Sequence, residues 1–436
     1  MQTNFNLSQL TNPDIEHAEK ILRSCVHCGF CLATCPTYQI KGDERDSPRG
    51  RIYIIKDVLE KDNTPDATAV RHIDRCLSCL SCMTTCPSGV DYMHLVDQAR
   101  YRIEESSVRA WHDKFLRKLI SFILVNPQIF RWLLFSAIFP SYLTSILPGR
   151  LGAISRLIKV NSFNNSGYSR PQKFSPTSDP IGRVALLAGC VQQVIAPRIN
   201  KSAVRLLTRL GFEVTIIAGF GCCGAIPQHM GRRQDTIDLA RENLHALSIE
   251  ESQNGKFDAF LTTTSGCGTV LKDYGHILAS ESNIENLSTR FSDLVMDISE
   301  FLYKSNIKNL IKDSKNIRVA YHPACSLQHG QNIVEAPKLL LKYAGYSILN
   351  FPDSHICCGS AGTYNFLQPS IATELQARKA KNILSTKPDV VATGNLGCIV
   401  QIGQSIEVPV LHTVELLDWA SGGPKPEMLD KGIAGA

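Results

Sequence analysis

The sequence predicts an α + α/β chain, in which a helical N-terminal domain is followed by two repeated α/β domains with parallel sheets. Before position 108, apolar residues recur at helical spacing and few strand-like runs interrupt them. From position 183, short apolar runs alternate with helical patterns, the signature of β-α-β units. That second half is written twice: thirty-one residues separate Cys190 from Cys222, and thirty-one separate Cys325 from Cys357. At 436 residues the chain is long enough for two or three domains that each bury a core.

Taken in order, Asn12-Pro13-Asp14 reads as cap, first helical position and acidic first turn of a helix running through Ile21 and Leu22. The helix delivers the chain to CVHCGFCLATCP, where Cys25, Cys28, Cys31 and Cys35 are separated by two, two and three residues and proline follows. Two-residue steps let a chain wrap one face of a cubane so that three thiolates each reach a different iron, and thiolate sulfur suits iron. Gly29 leaves room for the backbone to come close. The longer step to Cys35 carries the fourth cysteine away to another cluster. The matching run is CLSCLSCMTTCP, with the same spacing at Cys76, Cys79, Cys82 and Cys86. The ligand sets therefore cross: Cys25, Cys28, Cys31 and Cys86 for one [4Fe–4S] cluster, and Cys76, Cys79, Cys82 and Cys35 for the other. Zinc sites need only one or two such pairs. Sixteen cysteines gathered in motifs argue for metal in a reducing compartment rather than for disulfides. Between the runs, Ser47-Pro48-Arg49-Gly50 reads as a turn, and Arg51 to Glu60 as a helix presenting Ile52, Ile55, Val58 and Leu59. Arg45, Arg49 and Arg51 either offset cluster charge, meet a partner or are solvated surface residues.

The stretch from Trp111 to Leu151 is the most apolar part of the chain. Asn126-Pro127, Arg131 and Pro140 break it short of the roughly twenty uninterrupted residues that a spanning helix requires. Two readings stay open. One is a helical hairpin buried against the cluster domain or a partner. The other is a pair of interfacial helices, with Trp111, Trp132 and Tyr142 at lipid headgroups and Arg117, Lys118, Arg131 and Arg150 toward phosphates. Residues 160–182 turn to Asn, Ser, Pro and Gly with almost no apolar periodicity, and read as a linker.

In the first repeat, strands are expected over 184–188, 213–217 and 259–263, followed by Cys190, Cys222-Cys223-Gly224 and Cys267. In the second, strands over 318–321, 346–349 and 390–393 precede Cys325, Cys357-Cys358-Gly359 and Cys398. Every one of these cysteines falls just beyond the carboxyl end of a strand, the edge where parallel α/β sheets collect ligands. Each repeat thus offers four thiols, enough for a cluster, a redox disulfide or a reactive thiol, against the plainer reading of small buried residues.

Two CxxCxxCxxxCP runs together with two CCG modules resemble the iron–sulfur subunit of bacterial glycolate oxidase over nearly the whole chain. The architecture is also similar to that of the iron–sulfur subunit of anaerobic glycerol-3-phosphate dehydrogenase, lactate-utilisation proteins and heterodisulfide reductase. The expected division is a helical two-cluster ferredoxin domain over 1–108, the apolar segment over 109–158, a linker over 159–182, CCG domains over 183–303 and 317–424, and a tail over 425–436. The resemblance implies separate flavin-binding glycolate oxidase subunits that carry FAD and oxidise the 2-hydroxy acid. This chain would then hold two [4Fe–4S] clusters, with one or two more open to the CCG cysteines, and pass electrons to a quinone or other respiratory acceptor. Where the heterodisulfide reductase module closes with a second Cys-x-x-Cys pair, Thr264 and Asn395 replace the first cysteine, leaving Cys267 and Cys398. That departure weakens the alternative of a thiol–disulfide enzyme. His412 and Asp297 read as helix caps paired with Glu415 and Glu300. His322 and His355, close before Cys325 and Cys357, read as satisfied structural histidines ahead of a tuning or proton-moving role.

A formal net charge of +6 is mild for this length and points to no nucleic-acid partner. The polar start MQTNFNLSQLTNPD lacks a basic and apolar leader, which places the chain on the cytoplasmic side, peripheral to a membrane if the apolar segment meets lipid. The chain is read as lacking both a dinucleotide-binding glycine fingerprint after a strand and a Walker-type loop, so the hydride acceptor that hydroxy-acid oxidation needs is expected elsewhere. A third reading is an assembly scaffold whose CCG half docks the flavin subunits.

Overall fold

The computed structural model describes residues 1–62, 64–138, 167–305, 307 and 317–432. The N-terminal domain is helical. Asn12 caps the helix Pro13–Ser24, its side chain accepting from the Asp14 amide at 2.9 Å, and Pro13 occupies the first turn, where its missing N–H costs nothing. The expected turn at Ser47 is instead the cap of a longer helix, Pro48–Glu60, with Ser47 Oγ accepting from the Gly50 amide at 3.0 Å. These two helices and the helix Tyr92–Glu105 bury Ile15, Leu22, Ile52, Ile55, Leu59, Leu95 and Ile103 in one core that also takes in Cys25, Cys76 and Cys82. The cysteine runs are thus built into the domain's interior.

The apolar segment breaks at Asn126-Pro127 into the helices Trp111–Val125 and Pro127–Ile138. Tyr142, Pro140 and Arg150 lie outside the described residues. One face is packed: Leu124, Phe130 and Leu134 join the core of the first repeat. The other face is open, with Trp111, Phe115, Leu119, Phe122, Trp132 and Leu133 exposed. Arg117 departs from the expectation that it faces lipid phosphate: it is buried, its Nη2 3.0 Å from Asp74 and its Nε 2.9 Å from Asp113, because it lies on the packed side of its helix. No helix among the described residues is long and apolar enough to cross a membrane.

The second half holds two sheets, parallel throughout except for one edge strand. The first comprises β1 (Gln172–Phe174), β2 (Gly182–Leu186), β3 (Phe212–Ile216), β4 (Ala259–Thr262) and β5 (Val295–Asp297), in the order β1-β3-β2-β4-β5. The second comprises β6 (Arg318–Tyr321), β7 (Ser347–Leu349), β8 (Val390–Thr393) and β9 (Val410–His412), in the order β7-β6-β8-β9. Apart from β1 the two orders are the same, as a duplication requires. β1 is antiparallel to β3 and lies in the stretch expected to be a linker. An edge strand needs only backbone pairing, so its exposed side chains leave no apolar pattern to read. One hydrophobic core runs through both repeats, and Ser265 meets Ser326 at 2.6 Å where they face each other.

Candidate metal centres

Cys25, Cys28, Cys31 and Cys86 come together around one cavity at the surface of the N-terminal domain, with Cys82 at its inner wall. Its remaining lining is mostly apolar, including Phe30, Ile52, Pro87 and Val90, and holds no carboxylate. Four cysteines in a cavity free of competing carboxylates fit an iron–sulfur cubane. Cys28 is the exposed member. Burial and the nearby Cys25 and Cys35 push the Cys31 thiol up to about 11, so without metal it stays protonated. Gly29 has φ +85°, and a Cβ there would come within 2.6 Å of Arg49 Nη1. The matching residue of the second run is Leu80, also left-handed at φ 60°. The wrap is therefore imposed by the run, not by glycine alone.

Cys35, Cys76, Cys79 and Cys82 form the second group, all buried. Burial first, then the neighbouring Cys79, Cys76 and Cys35, hold the Cys82 thiol well above its ordinary value. Cys76 goes the other way: burial would raise it, but Arg51 and Arg100 bring it below the usual thiol range. Arg51 is 1 % exposed, donating to the His72 carbonyl at 2.7 Å and to Thr37 Oγ1 at 3.0 Å, with Asp46 at 3.7 Å. Arg100 donates to the Cys76 carbonyl at 2.7 Å. Of the three arginines singled out in the sequence, Arg51 lies at this group and Arg49 lines the first cavity, while Arg45 is exposed and paired with Asp43. Arg100 was not anticipated; its place on the helix after the second run was the available signal.

The CCG cysteines sit at the carboxyl ends of the strands, as expected. In the first repeat the four thiols are electrostatic neighbours in the order Cys190, Cys222, Cys223, Cys267. In the second, Cys325 Sγ is 3.9 Å from Cys357 and Cys358 Sγ is 3.4 Å from Cys398. Gly359 has φ +89°, and a Cβ there would come within 2.5 Å of the Ala372 carbonyl. Neighbouring sulfur and burial hold the Cys325, Cys357 and Cys358 thiols well above their ordinary range, which makes them poor nucleophiles as they stand.

The two groups differ in their surroundings. His322 is 1 % exposed, neither ring nitrogen has a hydrogen-bond partner, and a donor atom of its ring lies within 4.8 Å of Cys358 and Cys398. The expectation of a satisfied structural histidine fails for His322, whose pocket holds sulfur where a carbonyl would have been needed. Lys379, also buried, faces the same thiols and donates to the Asp353 carbonyl at 2.6 Å; burial brings it down to about 8. The corresponding helix of the first repeat, Arg233–Asn254, offers the neutral Asn243, which donates to the Cys222 carbonyl at 2.8 Å, and Leu187 stands where His322 does. At the positions of the missing closing cysteines, Asn395 donates to Cys398 Sγ at 3.4 Å and Thr264 donates to Gln192 at 2.6 Å. His355 is exposed. His412 and Asp297 are caps; Glu415 closes a capping box, whereas Glu300 turns away to Lys272 and Lys304.

The expectation that no Gly-x-Gly-x-x-Gly follows a strand is corrected here: Gly219 to Gly224 spell it after β3. Its two middle residues are Cys222 and Cys223, and the helix it opens, Ala225–His229, has five residues, too short for the pyrophosphate-binding helix of a dinucleotide fold.

The second group and the second repeat touch. Leu77 and Cys79 share a core with Ile356, Cys357 and Tyr364, and Cys325 packs on it. Tyr364 donates to the Arg75 carbonyl at 2.9 Å, and Thr84 meets His329 at 2.7 Å.

Two family models match the chain: a 4Fe-4S dicluster domain over residues 21–90, and a cysteine-rich domain twice, over 184–272 and 319–403. The glycolate oxidase iron–sulfur subunit of Escherichia coli is 37 % identical over 96 % of this chain and 99 % of its own length. A probable glycolate oxidase iron–sulfur subunit of Bacillus subtilis is 28 % identical over 97 % and 99 %. One subunit of the CoM/CoB fumarate reductase of Methanothermobacter marburgensis is 25 % identical over 94 % and 75 %. Among solved structures, a hypothetical protein from Helicobacter pylori shares the fold at a TM-score of 0.53 and 12 % identity, covering 96 % of this chain and 74 % of that one. With a dicluster domain, a duplicated cysteine-rich domain and end-to-end similarity to the Escherichia coli protein, the chain belongs to the glycolate oxidase iron–sulfur subunit family.

Proposed function

We propose that this chain is the electron-transfer subunit of a flavin-dependent glycolate, or related 2-hydroxy-acid, dehydrogenase, with FAD and substrate oxidation on partner subunits. The observation that carries the reading is the convergence of Cys86 on the cavity of Cys25, Cys28 and Cys31, which is the crossed ligand set of a two-cluster domain. Cys25, Cys28, Cys31 and Cys86 hold one [4Fe–4S] cluster, and Cys35, Cys76, Cys79 and Cys82 hold the other. Bound there, the clusters supply one-electron carriage between a two-electron flavin donor and a quinone or other respiratory acceptor. Arg51 and Arg100 offset negative charge at the second set, and Arg49 does so at the first. Val26, Phe30 and Tyr53 are exposed around Cys28 and make an apolar rim against which the flavin subunit docks. The domain limits expected from the sequence, with ferredoxin-like residues 1–108 and CCG domains 183–303 and 317–424, serve this division of labour. The open face of the apolar helices rests on the cytoplasmic surface of a membrane.

The test is iron and acid-labile sulfide per chain, on protein purified anaerobically with its partners. About eight irons should depend on the eight ferredoxin cysteines. Serine at Cys28 and Cys79 should abolish acceptor reduction by the intact complex while leaving reduction of its flavin by substrate. Unchanged acceptor reduction in an assembled complex would sink the proposal. Serine at Cys222, Cys223, Cys357 and Cys358 sorts the CCG half: a count of about twelve or sixteen that falls to eight gives it clusters of its own, and a constant eight leaves it docking or thiol chemistry.

A further inference from the structure

Where the N-terminal domain meets the first repeat, a cavity whose lining holds no cysteine gathers imidazoles from three elements. His17 comes from Pro13–Ser24, His94 from Tyr92–Glu105 and His276 from Tyr274–Ile277. The ring centroid of His94 lies 3.7 Å from that of His276 and 5.7 Å from that of His17. One donor atom each from His17, Asp91 and His94 lies within 4.8 Å of the others. We propose that His17, Asp91 and His94 bind a divalent transition-metal ion of the borderline class represented by zinc.

The hydrogen bonds assign the donor atoms. His94 Nδ1 and Asp91 Oδ2 approach to 2.5 Å, while His94 Nε2 lies 2.9 Å from Asp273 Oδ1. A metal-bound imidazole ordinarily gives its other N–H to a carboxylate, which fixes its tautomer and orientation. Here that leaves Nδ1 for the metal and Nε2–H for Asp273, tying an N-terminal ligand to the first repeat. Two imidazoles and a carboxylate suit zinc or iron(II) and leave positions for water. The charge balance agrees. Asp91 and Asp273 flank His94, while the two guanidinium groups nearby are already paired, Arg233 with Asp14 and Arg100 with Asp97 of the same cavity at 3.5 Å. A protonated His94 between two carboxylates accounts for Asp91 and Asp273. It does not account for His17, whose ring packs on the other two imidazoles and brings a third donor atom to the same place.

The experiment uses the full chain with its iron–sulfur complement assembled anaerobically, equilibrated with one equivalent of Zn(II) and dialysed. Zinc K-edge absorption identifies the donors, since nitrogen and oxygen scatter from about 2.0 Å and sulfur from about 2.3 Å. One retained zinc with a nitrogen and oxygen shell is expected. His17→Gln and Asp91→Asn should each weaken retention by at least about ten-fold and Asp273→Asn by about ten-fold, with iron content unchanged. A sulfur shell, no retained zinc, or unaltered retention by His17→Gln overturns the proposal. The wild-type spectrum decides on its own if a variant fails to fold.

Discussion

Arg51 and His412 are both buried polar residues that each reach a distant backbone carbonyl, of His72 and Thr263 respectively. Arg51 and Asp46 are fully enclosed, with Asp46 also held by His72 and Arg75, both at 2.8 Å. Removing one member of such a group strands the rest, at a typical cost of about 3–5 kcal/mol. Arg51→Met should therefore lower the apparent melting temperature and the iron content together, and Arg51→Lys should not rescue either, because an ammonium cannot span the His72 carbonyl and Thr37 at once. A variant as stable as the parent would show that the guanidinium is dispensable. His412 accepts the Val414 amide at 3.0 Å on Nδ1 and reaches the Thr263 carbonyl of the other repeat at 2.7 Å through Nε2. Burial holds the ring neutral down to about pH 4, whereas the unfolded chain takes up its proton near 6.5. Stability is thus full above pH 6.5 and falls as pH drops toward 4, by about 1.4 kcal/mol for each unit in that window. His412→Asn keeps a good cap, so melting curves from pH 7.5 to 5.5 should lose roughly one proton of acid sensitivity while the stability at pH 7.5 falls by about 1 kcal/mol. An unchanged pH slope would place the titration elsewhere. The capping role of His412 was legible from Glu415 three residues on. The roles of Arg51 and His322 were not, since burial and the absence of a partner are properties of packing that no local spacing encodes.

Strands and helices were legible where their side chains had to be apolar. The expected strands at β2, β3, β4, β6, β7 and β8 agree with the observed ones to within two residues at either end, because each carries a short apolar run, buried in all but β7, just ahead of a cysteine loop. β1, β5 and β9 escaped notice: each has three residues and, unlike the equally short β7, none runs into a cysteine loop that marks its end. The helix Trp111–Val125 held an ambiguity that periodicity could not settle, and both of its readings survive on different faces. Leu124 and the ion-paired Arg117 turn inward, while Trp111, Phe115, Leu119 and Phe122 form one stripe with Lys118 beside it. On the proposed membrane reading the rings of such a stripe would partition onto lipid and its lysine would draw it to anionic headgroups. Changing Trp111, Phe115 and Phe122 together to serine should reduce co-sedimentation with anionic vesicles by at least about ten-fold, since even partial burial of three such side chains exceeds about 1.4 kcal/mol. Wild-type protein that ignores the vesicles at low salt would assign the stripe to a protein partner.

Across the whole molecule, the duplication is symmetric in strand order and asymmetric in chemistry. Both repeats present four thiols at equivalent strand ends, yet only the second gathers the buried His322 and Lys379 around them, and only the second shares a core with Cys79. The first is lined instead by Phe220, Leu244 and Phe260 and packs against the apolar helices through Val125. Changing Cys357 and Cys358 to serine alters polarity beside Cys79, whereas changing Cys222 and Cys223 does so in a separate core. Electron paramagnetic resonance of the dithionite-reduced protein reads this directly, because the g-values and relaxation of a reduced cluster follow charge and hydrogen bonding near its cysteines. The second-repeat variant should shift or broaden a signal that the first-repeat variant leaves as in the parent. Equal shifts in both, with iron content matched, would mean that the second repeat has no privileged coupling to Cys79. No shift in either would confine electron traffic to the N-terminal domain and leave the CCG half to hold partners.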